Sequence, residues 1–278
     1  MTAPSQVPVR YPSGVSTDQV WGPLANFGQP NPFTYQTIAD DFMGPLSTDS
    51  FFTTVSNGTG AATTSVAGDG GQMLLTTSSA GAGTTGLIGV KNNFVLPPAL
   101  YTGSGLTSPL YPSKKVFYLT RLNTTAPGSV TGFAGLMPAA TTTSTPTDGI
   151  FFTFTSATNV ALTAYSGSAL QWSVPIPAAA LSLYYTATNW VDLGFYMDRS
   201  QNVFAFFGYP LVGWLPQQAW TGVNNVNATP TPKAVVAAYQ TQVSGQWTPT
   251  TAALTAGLIV AGTIQTAYVD FIFAAKER

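Results

Sequence analysis

The stretch VDLGFYMDRSQNVFAFFGYPLVG, residues 191–213, decides the fold. Val191, Leu193, Phe195 and Met197 alternate with Asp192, Gly194, Tyr196 and Asp198, the period of a strand with one apolar face. A turn follows at Asp198–Gln201, and Asn202–Gly208 is apolar on both faces. The pattern predicts a hairpin whose first strand is half-buried and whose second strand is covered on both sides. Such a hairpin can line a binding groove, frame an active site or build a wall. Its neighbours in the chain decide which.

The same period recurs along the chain. In KKVFYLTRL (114–122), Val116, Tyr118 and Leu122 oppose Phe117 and Leu119. In DGIFFTFTS (148–156), Ile150, Phe152 and Phe154 oppose Phe151, Thr153 and Thr155. NVALTAYSG (159–167) follows after a short turn and predicts a hairpin. The segment 264–275 reads as a central strand, with Val269, Phe271 and Phe273 on one face and Tyr268 and Ile272 on the other. On that reading Phe271 is buried, and Asp270 needs a partner, because a buried unpaired carboxylate is costly. Helical periodicity is weak, and IPAAALSLYY (176–185) offers one or two turns at most. AATTTSTPT (139–147) and the long irregular stretch 215–233 read as loops. Many short strands with frequent turn signals predict an all-β, two-sheet antiparallel sandwich of jelly-roll type over residues 39–278.

Residues 1–38 read differently. Pro4, Pro8, Pro12, Pro23, Pro30 and Pro32 exclude a regular helix or a central strand. Yet Tyr11, Trp21, Phe27, Phe33 and Tyr35 are interspersed, where a disordered tail is short of aromatics. This predicts an extended proline-rich arm lying on a partner subunit or on its own domain, with Arg10, Tyr11, Trp21, Phe27, Phe33 and Tyr35 as contact residues.

Composition narrows the chemistry. Charged residues make up 7% of the 278, far below the ordinary level, so little repulsion keeps copies apart and the chain suits a permanent assembly. Net charge is −1 and the cations read as scattered, with Lys114-Lys115 the one adjacent pair, which argues against nucleic acid. No apolar run of membrane-spanning length is present, and the first residues lack the layout of a signal peptide. There is no Cys and no His, and the one Glu is Glu277. Triads, thiolate chemistry and a pair of glutamates are thereby excluded. Asp40 and Asp41 are adjacent, so on a strand they point to opposite faces and suit a turn or a salt bridge better than shared acid–base work. Neither a catalytic site nor a cofactor is expected. Asp69 and Asp148, each beside Gly, read as turns rather than calcium ligands.

Glycan binding would need an exposed aromatic platform. Trp172, Trp190 and Trp214 lie in or beside strands and read as core. Trp220 and Trp247 lie in polar loops and are the candidates for an interface anchor or a sugar stacker. The triplets at 57–59, 123–125 and 227–229 match the glycosylation pattern by coincidence in a Thr-rich chain.

The succession TRLNTT, GFAGL, DGIFFTF, WVDLGFYMDRSQNVFAFFGYPLVG and AYVDFIFAAKER resembles concanavalin A-like, laminin-G-like jelly rolls. Together with RYPSGVSTD at 10–18, DDF at 40–42 and VDFIFAAKER at 269–278, it resembles a family of tailed-bacteriophage virion proteins. That resemblance implies a structural component of the virion: a capsid decoration or cement protein on the capsid surface, assembled in the host cytoplasm. Its implied partners are the major capsid protein, other virion subunits and further copies of itself, without nucleic acid or membrane. The alternative it leaves is a lectin-like head or tail protein that takes a glycan of the host surface.

Overall fold

The computed structural model describes residues 33–42, 52–66, 71–78, 83–89, 114–138, 146–176, 178, 181–182, 185–197, 203–208, 218–219, 236–240, 254–262 and 265–278. In chain order the strands are β1 (Tyr35–Asp40), β2 (Phe52–Asn57), β3 (Ala62–Val66), β4 (Gln72–Thr76), β5 (Gly83–Gly89), β6 (Val116–Thr124), β7 (Thr131–Pro138) and β8 (Gly149–Ser156). There follow β9 (Asn159–Ser166), β10 (Ala169–Pro175), β11 (Val191–Met197), β12 (Val203–Gly208), β13 (Gln218–Ala219), β14 (Val236–Gln240), β15 (Leu254–Gly262) and β16 (Thr266–Glu277).

Two sheets result. The first runs β13-β14-β12-β11-β6-β16-β4-β3, with β1 also paired to β16. The second runs β10-β9-β8-β7-β15-β5-β2. Every described pairing is antiparallel except the two-residue β13–β14 contact, which is parallel. The chain passes from one sheet to the other at β1–β2, β2–β3, β4–β5, β5–β6, β6–β7, β10–β11, β14–β15 and β15–β16. Those crossings make a jelly roll rather than two separate meanders. Helical backbone occurs at Ala178, Leu181 and Ser182, where the Tyr185 amide donates to the Leu181 carbonyl at 2.8 Å.

The core lies between the sheets and is built by the predicted alternation. Val116, Tyr118 and Leu122 of β6 face inward, as do Val191, Leu193, Phe195 and Met197 of β11. Ile150, Phe152 and Phe154 of β8 meet them from the other sheet. Tyr118 is fully buried, and its ring stacks on Phe195 at 5.7 Å. Its hydroxyl crosses the core to donate to the Gly257 carbonyl at 3.0 Å. Burial accordingly pushes the phenol far above its ordinary range, against a smaller opposing effect of Thr120. At one side of the sandwich, Thr85 Oγ1 of β5 donates to the Ala62 carbonyl of β3 at 2.9 Å and lies 2.7 Å from Thr63 Oγ1, tying the sheets together.

Three expectations change. The strand β11 is buried at all seven positions, not on one face only. Its alternation is real, but the outer face of its sheet is also apolar and buried, through Phe117, Leu119, Tyr196 and Phe273. The second sheet repeats this with Ile88, Phe133, Met137, Phe151 and Ile259. The arm boundary is the second change. Residues 35–38 belong to β1, paired residue by residue with β16 from Tyr35↔Glu277 to Asp40↔Ile272, and Ile38 is in the core. A six-residue strand directly after Pro32 is too short for its period to stand out. Asp40 then accepts from the Phe42 amide at 2.8 Å, the turn role expected of it.

The third change is a β-bulge in β16. Opposite β6, Val269 pairs with Leu122 and Phe271 with Arg121, leaving Asp270 as the extra residue. Beyond the bulge the faces swap. Ile272 and Ala274 point into the core with Val269, while Phe271 is half-buried on the outer face. Thr120 Oγ1 donates to the Phe271 carbonyl at 2.8 Å, supporting the ladder where the bulge disturbs it.

The two hairpins of the second sheet follow their turn chemistry. Between β8 and β9 the turn is Ala157-Thr158. Between β9 and β10 it is Gly167-Ser168, both in the left-handed region with φ of 55° and 68°, as a type I′ turn requires. Asp148, fully buried, accepts from the Gly167 amide at 3.1 Å, which makes it a turn anchor. Gly149 beside it has φ of 132°, and a side chain there would meet the Leu136 carbonyl.

The bulge has a measurable signature. Ile272→Ala should cost about 2–5 kcal/mol in urea unfolding, as for other buried aliphatic truncations, and Phe271→Ala clearly less. The opposite ranking would mean that strict alternation holds through residue 270.

Candidate functional site

The outward residues of β6 change character along the strand. Phe117 and Leu119 are apolar, and Arg121 and Asn123 are polar. In register, Arg121 stands opposite Asp192 of β11 on one side and opposite Phe271 of β16 on the other. The bulge adds Asp270 to the same place. Arg121 therefore sits between two carboxylates from the two strands flanking its own.

All three of its guanidinium nitrogens donate. Nε donates to Asp192 Oδ1 at 2.8 Å and Nη2 to Asp192 Oδ2 at 3.2 Å, a two-pronged pairing. Nη1 reaches Asp270 Oδ2 at 3.3 Å. The guanidinium carbon lies 5.3 Å from the centre of the Phe271 ring, a cation–π contact. Asp192 is 1% exposed, whereas Arg121 and Asp270 keep 26% and 23%. The cluster is closed at the Asp192 end and open at the Asp270 end.

Burial is the main influence on all three charges. It raises the carboxyl of Asp192 above the ordinary carboxylate range; Arg121 opposes this and Asp270 adds to it. It raises Asp270 likewise, opposed by Arg121 and reinforced by Asp41. For Arg121, burial pulls downward, but Asp192 and Asp270 together outweigh it and the net shift is upward. One arginine thus holds two aspartates, with a third nearby.

Towards the Asn123 end of β6 stand aromatic and amide groups. Trp190 and Tyr268 meet edge to face with centres 6.5 Å apart, both half-buried. Asn123 Nδ2 donates to the Asn189 carbonyl at 2.8 Å and holds the segment that carries Trp190. Towards the start of β6, Phe117 packs on Tyr196 at 4.7 Å and on Tyr35 at 5.7 Å. The outer face of this sheet therefore grades from a buried aromatic floor, through an ion-paired centre, to a partly exposed aromatic and amide rim.

The sequence candidates fall elsewhere. Arg10, Tyr11, Trp21, Phe27, Trp220 and Trp247 lie outside the described residues. Phe33 is 88% exposed just ahead of β1. Tyr35 is part of the sheet, its ring against Phe117. Trp172 is half-buried and packs on the main core from the edge strand β10, as its alternation predicts. Trp190, read as core, is instead on the rim of the outer face. Among the described residues no group of three acidic side chains gathers in a way that could hold a metal ion. The Arg121 cluster was only half legible. Asp270 calls for a partner in the sequence, but nothing local names Arg121, which is 149 residues away.

No family model matches the chain, and no curated protein matches it. Solved structures do resemble it. A native glycosidic hydrolase aligns with TM-score 0.45 and 12% identity, over 86% of this chain and 95% of that one. A Bacillus licheniformis beta-glucanase gives 0.43 and 9%, over 86% and 97%. The CBM2 module of the evolved Dit of Lactobacillus casei BL23 phage J-1 gives 0.44 and 9%, over 87% and 96%. The fold, read from its own strand order, is a two-sheet antiparallel jelly-roll sandwich. At such identities the likeness is one of chain layout, and the chemistry has to be read from this chain's own side chains.

Arg121→Met should cost about 3–5 kcal/mol, because it leaves Asp192 buried without its counter-ion. The deficit should shrink on acidification. In the variant the folded-state pKa of Asp192 rises further above the unfolded value of about 3.9. The folded state then takes up a proton at a pH where the unfolded chain has not, so variant stability grows as pH falls through that window. Urea unfolding of both proteins across the acid range checks this. A deficit that does not change with pH would show that Asp192 is not the source of the loss.

Proposed function

We propose that this protein is a non-catalytic structural subunit of a tailed-bacteriophage virion. It acts as a capsid decoration or cement protein that binds the major capsid protein and stabilises the head, with several copies on the capsid surface. The observation that carries this reading is Phe33. It is a large aromatic, 88% exposed, at the foot of a proline-rich, aromatic-rich segment and immediately before a strand locked into the body. An aromatic so placed is an anchor for another surface. The low charge of the chain favours the same conclusion, since copies with few charges associate without strong repulsion. The central carboxylates support a non-catalytic role. A general acid or base must exchange protons with a substrate, whereas Asp192 and Asp270 are both bonded to one guanidinium.

Deleting residues 1–32 should leave a body that unfolds cooperatively but no longer joins particles. Incorporation of the truncated protein at normal copy number would overturn the assembly reading. Particles assembled without the protein should form, and should lose their integrity at a lower temperature than complete ones.

A second reading has its own observation. Trp190, Tyr268 and Phe271 are half-exposed beside Asp270 and Arg121, the mix of ring faces and paired polar groups that suits a sugar. On this reading the protein is a glycan-binding virion component that contacts the host surface. Binding on a glycan array that is lost in Tyr268→Ala and Trp190→Ala, with unchanged thermal unfolding, would establish it. A blank array for the intact protein would remove it.

A further inference from the structure

The strands that end the two sheets are guarded unequally, and a bare sheet edge is a template for another strand. The strand β13 has only two residues. On β3, Thr85 Oγ1 of the other sheet donates to the Ala62 carbonyl at 2.9 Å. The strand β10 carries a bulge between Leu170 and Trp172 and ends in Pro175. The strand β1 ends in Asp40, and Arg278 Nε donates to its Tyr35 carbonyl at 3.3 Å. None of these devices protects β2. It pairs with β5 without a bulge, from Phe52↔Gly89 to Asn57↔Thr84, and among the described residues no strand pairs with its other side. The sequence holds no charge between Asp49 and Asp69 and no proline between Pro45 and Pro97.

Neighbouring residues assign the faces of β2. Phe52 lies in the core, and Val55 packs on the outer apolar cluster that contains Ile88 and Ile259. Alternation then puts Thr53, Val55 and Asn57 on the outer face, and Thr54 and Ser56 on the core side. Thr53, Thr54, Ser56 and Asn57 are all exposed, including the two on the core side, so the edge is open to solvent. Val55 is half-buried, an apolar side chain where the outer cluster reaches the edge.

We infer that the free edge of β2 pairs with the same edge of a second copy of this chain, antiparallel about a twofold axis at Val55, joining the two smaller sheets into one. Residues directly opposite in a ladder share a face, so the register has to match outer residues with outer ones. A twofold axis at Val55 does this. It sets Val55 against itself, Thr54 against Ser56 and Thr53 against Asn57. The ladder is about 17 Å long at about 3.4 Å per residue. The Val55 pair joins the outer apolar clusters of the two copies, and the other pairs match hydroxyls and amides, with no like charges facing. A charged partner segment would find no counter-charge on this edge, whereas the strand complements itself, as a contact between identical surfaces requires. So short a ladder makes a weak pair, dependent on concentration. The inference deepens the assembly reading by naming a contact between copies, and rests on it for the place of that contact on a particle.

Sedimentation velocity of the full chain over a concentration series reads the pairing. The weight-average mass should climb from one chain towards two as concentration rises. The double variant Thr53→Lys, Asn57→Lys sets two pairs of lysines face to face across the twofold axis, and should weaken association at least about tenfold. The double variant Thr53→Lys, Asn57→Glu sets lysine against glutamate instead. It should recover the association of the parent, now with a dependence on salt. Both positions are exposed, so both variants should melt with the parent, and the second carries the same lysine as the first. A parent that stays single at every concentration, undiminished association of the double-lysine variant, or a lysine–glutamate variant as weak as the double-lysine one would each overturn the proposal. Incorporation into particles, measured in parallel, separates the two levels. Copies that join particles yet stay single in solution sink the β2 pairing and leave the assembly reading standing. Copies that pair through β2 yet never join particles do the reverse.

Discussion

The pairing of Arg121 with Asp192 and Asp270 constrains everything around it. It joins β11, β6 and β16, three adjacent strands of the larger sheet, on a face that is otherwise largely apolar. A buried ion pair adds little net stability over a well-packed apolar alternative, because both charges must be stripped of water. What it supplies is register. A one-residue slip of β11 along β6 would set Asp192 opposite Thr120 or Leu122 and leave a buried carboxylate alone. The bulge in β16 belongs to the same arrangement. Without the extra residue, Asp270 alone would stand opposite Arg121 and Phe271 would turn to the core face; the bulge sets both beside the guanidinium.

The second feature of the body is that both sheets are apolar on both faces. The inner faces meet in one core, bridged by the Tyr118 hydroxyl. The outer faces carry their own aromatic groups, such as Phe151 between Phe133 and Tyr165. A chain with few charged residues has few side chains that could guard such faces or the sheet edges. The edge strand β10 has no charge, relies on a bulge and Pro175, and shows Leu170 at 53% exposure. Sparse charge and sheets apolar on both faces are two expressions of one composition.

Inner faces were the legible part of the sequence. Residues 116–122, 150–155 and 191–197 alternate strictly, and core packing obeys strict alternation. The outer faces were not legible as buried, since Gly194 and Asp192 look solvent-facing until Arg121 is placed beside them. The swap after Asp270 was hidden for a related reason. A bulge adds one residue to one strand and leaves no mark in composition. The turn roles of Asp40 and Asp148 were legible, because an Asp beside Gly or at a strand end satisfies backbone amides locally.

The position of β16 has a consequence for timing. This strand lies between β6 and the pair β4 and β1, and its partner β1 is more than two hundred residues earlier. Contacts of such long range close slowly, and domains emerge from synthesis at about 5–20 residues per second. Through all of that interval β6, β4 and β1 wait with a missing neighbour, and Asp192 shares its arginine with no second acid. The larger sheet, and with it the seat of β1, comes into being only when β16 inserts. A chain that lacks β16 therefore has no Arg121–Asp270 contact and no partner for β1, and topology alone makes completion of the larger sheet a single late step.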